Sequence, residues 1–248
     1  GHLSLIRRAR VKNQRVVVSI FVNQLQFGPR EDWARYPRQH EQDLALLNSI
    51  GIDAVFLPAA EEMHRPGNTT RVHVGALGNI LEGASRPGHF EGVATVVIKL
   101  FNICRPHSAY FGQKDAQQET LITKVARELD TGVEVNILPI VRDFDGLALS
   151  SRNAYLSIEE RTAAVCLSQA LRSANRLYLS GERDINRLKN ALVLILRSEP
   201  LVRVDYAEVV DSESFTSDGA EGANLAVIAV RIGQTRLIDN HRLGEAWN

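Results

Sequence analysis

SAYFGQKDAQQETLITKVARELDTGVEVNILPIV, residues 108–141, decides the fold class. SAYFG and VEVNILPIV are short runs rich in aromatic and β-branched residues, the composition of buried strands. Between them, KDAQQETLITKVAREL spaces its apolar residues at helical intervals. A strand, a helix and a second strand in this order join parallel neighbours in a sheet. The same alternation lies upstream. LSLIRRARVKNQ, with Leu3, Ile6 and Ala9 at helical spacing, opens the chain, and VVVSIFV (16–22) is a continuous apolar run of the kind covered on both faces of a parallel sheet. Residues 38–50 return to a helical pattern through Leu44, Leu47 and Ile50 and stop at Gly51. IDAVFLP is a second buried strand, and an apolar helix runs through Val93, Val96, Val97, Leu100, Phe101 and Cys104. NQLQFGPREDWARYPR and the 61–92 stretch read as irregular. The expected class is α/β with a doubly wound parallel sheet.

Downstream the texture changes. Two amphipathic helices are expected at about 158–180 and 184–198, followed by the strand VRVDYAEVV and by NLAVIAVRIGQTRLID, two strands hinged at Gly233-Gln234. This divides the chain into a domain over 1–141 and a smaller α+β domain over 142–248. In doubly wound sheets ligands sit beyond the carboxyl ends of the strands. The polar segments there are Asn23 to Gln26, Gly112 to Gln118, and 142–153.

Composition narrows the function. The chain has 248 residues, 44% hydrophobic, and balances 29 Lys plus Arg against 29 Asp plus Glu. That is enough apolar material for a sizeable core, with no net charge to draw in nucleic acid or an anionic membrane. Cys104 and Cys166 lie far apart in helix-like patterns, which suits reduced thiols in a cytoplasmic protein. No apolar run approaches the roughly 18 residues of a membrane span. The chain enters a helical pattern at once from Gly1 without a methionine, so a segment upstream is expected.

Each candidate segment has a functional and an ordinary reading. In YFGQKDAQQ (110–118), a glycine at a strand end, Lys114 and helix N-terminal amides suit phosphate, with Asp115, Gln117 and Gln118 left for hydroxyls. The alternative is a plain strand-to-helix turn with a solvated Lys-Asp pair. Asn23 and Gln26 carry amides that both donate and accept, fit for a polyhydroxy acid, or else they cap loop backbone. His2 at a helix start could face an anion or be an ordinary terminal residue. Arg86-Pro87-Gly88 and His89 read as a loop and helix cap, and Arg7, Arg8, Arg10, Lys12 and Arg15 as a solvated helix face. In DGLALSSRNAYLS (145–157), Ser150, Ser151 and Arg152 suit a polyphosphate, whereas Ser157 and Glu160 form the S-x-x-E capping box of the next helix. Asn153 has no assignment, and no metal-ligand cluster stands out.

GHLSLI, SIFVNQLQFGP, ARYPR, LEGASRPGHFEGV, FGQKDAQQ, DGLALSSRN and RLIDN, in this order from residue 1 to about 240, closely resemble the pantoate-β-alanine ligase family. The resemblance implies a Rossmann-like, cytidylyltransferase-like domain over 1–141 that binds nucleotide and pantoate, and a C-terminal α+β lid over 142–248. It implies ATP-dependent joining of pantoate and β-alanine through pantoyl adenylate, with ATP and Mg2+ required, in a cytoplasmic homodimer that engages neither nucleic acid nor membrane. By the same resemblance, Gly1 and His2 match the end of the His-x-Gly-His signature, whose first histidine, with a strand and a glycine-rich turn, precedes the position of Gly1. His2 and Lys114 are then catalytic. Gln26, Gln118 and Asn23 serve pantoate, and Gln26 also serves β-alanine. Gly112, Gln113, Lys114, Asp115, Val141, Leu149, Ser150, Ser151 and Arg152 bind ATP together with Gly1 and His2. The sequence departs from the family at Gln24, where proline is usual, and at Gln113, where glutamate is common. Two other functions fit the residues: a nucleotidyltransferase acting on a phosphorylated substrate, and nucleotide or partner binding without turnover.

Overall fold

The computed structural model of the protein describes residues 1–29, 31, 33–217 and 224–247, so the loop reading at Arg30 and Asp32 lies outside the described residues. The chain divides into two units, one of His2–Gly112 with Gln117–Leu138, the other of Gly1, Gln113–Ala116 and Pro139–Asn248.

The N-terminal unit alternates helices with parallel strands: α1 (His2–Lys12), β1 (Val17–Ser19), α2 (His40–Ile50), β2 (Ala54–Phe56), α3 (Ala60–Met63), α4 (Glu82–Ser85), α5 (His89–Cys104), β3 (Ser108–Gly112), α6 (Ala116–Glu128) and β4 (Glu134–Leu138). Among the described residues the strands form two parallel pairs, β1 with β2 and β3 with β4, Val18 lying opposite Val55 and Tyr110 opposite Asn136. Gly51 ends α2 in the left-handed conformation, φ 75°, which a side chain would resist. The core of the unit packs Val93, Val96, Val97 and Phe101 of α5 against Ile122 and Ala126 of α6, with Ala109, Phe111 and Val135 from the strands beside them. A Val, Ile or Phe side chain in this cluster contributes about 1.5–3 kcal/mol on full burial.

The 16–22 run departs from the expected doubly covered strand. Val16 is buried but Val17 is 51% exposed and Ser19 is exposed, so the run alternates as a half-covered strand, and β1 spans only three residues. The basic face of α1 is solvated at Arg7 and Arg8, while Arg10 turns back to Asp53 at 2.5 Å and to the carbonyls of Asn13 and Gln14 at the helix end.

The C-terminal unit contains α7 (Ile158–Ala163), α8 (Cys166–Leu179), α9 (Ile185–Ser198), β5 (Val202–Val210), β6 (Leu225–Ile232) and β7 (Thr235–Arg242), the strands forming an antiparallel sheet in that order. This is the α+β part that the sequence texture predicts. The β6–β7 hairpin turns at Gly233, φ 55°. Leu167, Leu171, Leu188, Leu192 and Leu196 of the helices close over Ile228, Val230 and Ile232 of the central strand, all essentially without solvent exposure. The single helix expected over 158–180 is two helices. Val165 N donates to Thr162 O and Leu167 N to Ala164 O, both at 3.2 Å, and these three-residue steps tighten the backbone where fully buried Ala164 packs. The capping box holds: Glu160 N donates to Ser157 Oγ at 3.1 Å and Ser157 N to Glu160 Oε2 at 2.9 Å. Both cysteines are free thiols, and burial pushes Cys166 up to about 12.

Candidate functional site

In the N-terminal unit the candidate residues surround a turn that the sheet does not reach. Past β1 the backbone keeps one strand-like bond, Ile20 N to Phe56 O, and then enters a 3-10 turn over Gln24–Gln26. Buried backbone groups need partners, and here side chains supply them. Asn23, 2% exposed, donates from Nδ2 to Gly92 O at 3.0 Å and to Gln26 Oε1 at 3.3 Å. Because Gly92 O can only accept, the amide orientation is fixed, and Asn23 Oδ1 accepts from Leu25 N and from His64 Nε2 at 2.8 Å. Gly92 belongs to α5, and an added Cβ there would stand 2.4 Å from Leu25 O, so the absence of a side chain lets the helix abut the turn.

The Gln26 carbonyl is clasped from another side. His89 Nδ1 lies 2.8 Å from Gln26 O, and Arg86 Nη1 lies 3.0 Å from His89 Nε2. A carbonyl accepts and a guanidinium donates, so the neutral imidazole carries its proton on Nδ1. Burial, then the Arg86 charge, lowers His89 to about 4, which keeps it in that state. Arg86 also forks onto Glu31 at 2.7 and 2.8 Å. Burial alone would raise the Glu31 pKa, but the Arg86 hydrogen bond and charge outweigh it and hold the carboxyl below its ordinary range. Arg86 and His89 thus do more than the loop-and-cap reading allows.

Of the other N-terminal candidates, Gly112 ends β3 and is half-buried, and His2 and Gln118 lie at helix starts. His2 is exposed as the first residue of α1. Gln118 is half-buried in the first turn of α6, whereas its neighbour Gln117, expected to be available for hydroxyls, is buried and committed. Gln117 Nε2 donates to Leu77 O and Ile80 O at 2.8 and 2.9 Å, and its Oε1 accepts from Glu82 N at 3.1 Å. Gln117 is therefore a brace for the 77–82 turn, where Leu81 takes φ 46°.

In the C-terminal unit, Gln113–Asp115 form a 3-10 turn with Lys114 half-buried and Asp115 exposed. Asn240 of β7 donates from Nδ2 to the carbonyls of Gln113 and Lys114. Residues 141–149 form a small hairpin: Leu149 N donates to Val141 O at 2.9 Å and Asp143 N to Leu147 O at 2.8 Å. Its tip turns at Gly146, φ 94°, with the Asp143 and Asp145 carboxylates both held by Arg161. Arg142 leaves the hairpin for Asp239, at 2.6 and 3.0 Å, and its guanidinium lies 4.4 Å from the Trp247 ring centre. Ser150 caps a 3-10 turn over Ser151–Tyr155 by accepting from Arg152 N at 3.3 Å, so it has a local task that its composition did not reveal. Asn153 donates to Ala148 O at 3.1 Å, and its buried Oδ1 lacks a hydrogen-bond partner.

Glu31, His64, Arg86, His89, Arg142, Asp239 and Asn240 were not singled out by sequence as site residues. Arg86, His89, Asp239 and Asn240 lie within the quoted motifs, and Asp239 carries a further signal: a carboxylate inside a run that reads as buried strand needs a partner. Among the described residues no group of three or more His, Cys, Asp or Glu could hold a metal ion, and no helix is long and apolar enough to cross a membrane.

A family model described as pantoate-beta-alanine ligase matches residues 1–242. A pantothenate synthetase of Acidobacterium capsulatum is 54% identical over 246 residues, covering 99% of this chain and 82% of the relative. One from Carboxydothermus hydrogenoformans is 52% identical over 242 residues, 97% of this chain and 86% of the relative. Among solved structures, pantothenate synthetase from Thermus thermophilus superposes with a TM-score of 0.93 at 47% identity, covering 98% of this chain and 88% of that one. The pantoate-beta-alanine ligase of Francisella tularensis, solved with a beta-gamma ATP compound and beta-alanine, gives a TM-score of 0.83 at 33% identity, covering 100% of this chain and 87% of that one. With the family model spanning nearly the whole sequence and relatives above half identity, this chain belongs to the pantoate-beta-alanine ligase family.

Proposed function

We propose that the protein joins pantoate to β-alanine at the expense of ATP, giving pantothenate, AMP and pyrophosphate. The observation that carries this reading is the family match across residues 1–242. In the first step a pantoate carboxylate oxygen attacks the α-phosphorus of ATP and the bond to pyrophosphate breaks, leaving pantoyl adenylate. In the second, the neutral amine of β-alanine attacks the acyl carbon, AMP departs with the electron pair of the C–O bond, and the amine loses a proton.

The first step needs no strong base, because a carboxylate is already ionised at neutral pH. It needs alignment and charge compensation. Lys114 and Arg152 are cations suited to phosphate oxygens, and the amides at the start of α1, beside His2, present partial positive charge. In this proposal Gly1, Gly112, Gln113, Asp115, Val141, Leu149, Ser150 and Ser151 complete the ATP set. Mg2+ arrives with the nucleotide as part of the substrate. Gln26 and Gln118 take pantoate and Gln26 takes β-alanine, while Asn23 acts by holding the Gln26 turn.

Isotope exchange between ATP and pyrophosphate tests the reading. Exchange should require pantoate, and Lys114→Ala should lower it about 100-fold or more, the size of effect seen when one donor to developing charge is removed. Exchange independent of pantoate would refute the reaction, and unchanged exchange in Lys114→Ala would refute the role of that lysine.

A further inference from the structure

The link between β7 and the Gln113–Asp115 turn has no part in the chemistry above. Asn240 is 2% exposed, and its Nδ2 donates to Gln113 O at 2.9 Å and to Lys114 O at 3.0 Å. These carbonyls belong to the peptide planes on either side of the Lys114 α-carbon. The φ and ψ of Lys114 are the rotations between those two planes, so pinning both fixes the direction in which its side chain leaves the backbone.

Asn240 is itself held at both ends. Its N–H donates to Asp239 Oδ1 at 2.8 Å and its carbonyl accepts from Arg142 Nη2 at 3.2 Å. Arg142 and Asp239 are paired with side chains only 7% and 1% exposed. By contrast, Asn240 Oδ1 is buried without a hydrogen-bond partner. An unpaired buried acceptor disfavours folding, so the position makes use of the two N–H donors and not of the amide as a whole.

We propose that Asn240 is a positioning residue for adenylation, which aims Lys114 through the backbone that it grips. This rests on the reading of Gly112–Asp115 as the ATP segment. Asn240→Ala removes the donors together with the unpaired acceptor, and Asn240→Asp sets a carboxylate against two carbonyls and the lysine. Steady-state exchange kinetics on the full chain should show KM for ATP raised about tenfold in Asn240→Ala, the ratio expected for losing hydrogen bonds of ordinary strength. Asn240→Asp should be worse, Asn240→Gln should recover part of the loss, and KM for pantoate should stay within about twofold of the parent. Melting temperatures accompany each variant, and if Asn240→Asp does not fold, Asn240→Ala carries the same comparison. Equal changes in both KM values, or an unchanged KM for ATP while Lys114→Ala is impaired, overturns the proposal. If Lys114→Ala itself leaves adenylation intact, the underlying ATP assignment falls instead.

Discussion

The Gln26 turn and the Lys114 turn are held in place by different means. Around Gln26 the strand β1 ends after three residues, and Asn23, His64, Arg86, Glu31 and His89 together supply what a sheet would have provided. At Lys114 a full-length strand of a well-buried sheet delivers one carboxamide, backed by one ion pair. The Gln26 turn, beyond the reach of regular structure, is held by a network of polar side chains, whereas the Lys114 turn, met by a strand, is gripped by one side chain of that strand.

If the single-residue anchor depends on its ion pair, then Asp239→Ala should have the largest effect. It strands the Arg142 guanidinium in the interior, at a cost of about 3–5 kcal/mol in urea unfolding. A loss below about 1 kcal/mol would mean that the C-terminal anchor is as distributed as the N-terminal one.

The network is expected to show itself by pH. The unfolded imidazole of His89 takes a proton near its ordinary value of 6.5 and the folded one only near 4. The unfolded chain therefore binds the extra proton, and this group's contribution, full above pH 6.5, declines as pH falls toward 4. The decline should be on the order of 3 kcal/mol, and His89→Gln should flatten it by that amount. Parallel pH curves for parent and variant would contradict a neutral, buried His89.

A smaller effect is expected from Gly92→Ala. The new Cβ would lie 2.8 Å from Gln26 N as well as against Leu25 O, so helix and turn must part slightly, at about 1–3 kcal/mol. KM for pantoate should rise with it. A variant as stable as the parent, with unaltered KM, would show that the turn does not depend on this close approach.

Much of the fold was legible where local chemistry and tertiary role coincide. The 108–141 alternation, the Gly51 stop, the Gly233 hairpin and the Ser157–Glu160 box each carry their reason in neighbouring residues. The network was not legible, because Glu31 and His64 lie far along the chain from Arg86 and His89, and the four gather around the Asn23–Gln26 turn only once the chain has folded. Gln117 and Gln118 illustrate the limit. They are adjacent in sequence but about 100° apart around a helix, so one enters the interior and its neighbour stays half-exposed, a choice that composition cannot express. The 16–22 run misled for a related reason: its residues are apolar on both faces, and only the alternation of Val16 and Val17 shows that one face is open.

The four residues Gln113–Ala116, which belong with Pro139–Asn248 although they lie between β3 and the rest of α6, bear on how this protein can be recombined. No single crossover point separates the chain into two intact parts. A chimera that takes everything after residue 138 from a relative inherits Asn240 from one parent and the carbonyls that it grips from the other. Exchanging codons 113–116 together with the C-terminal block keeps the two in a shared ancestry.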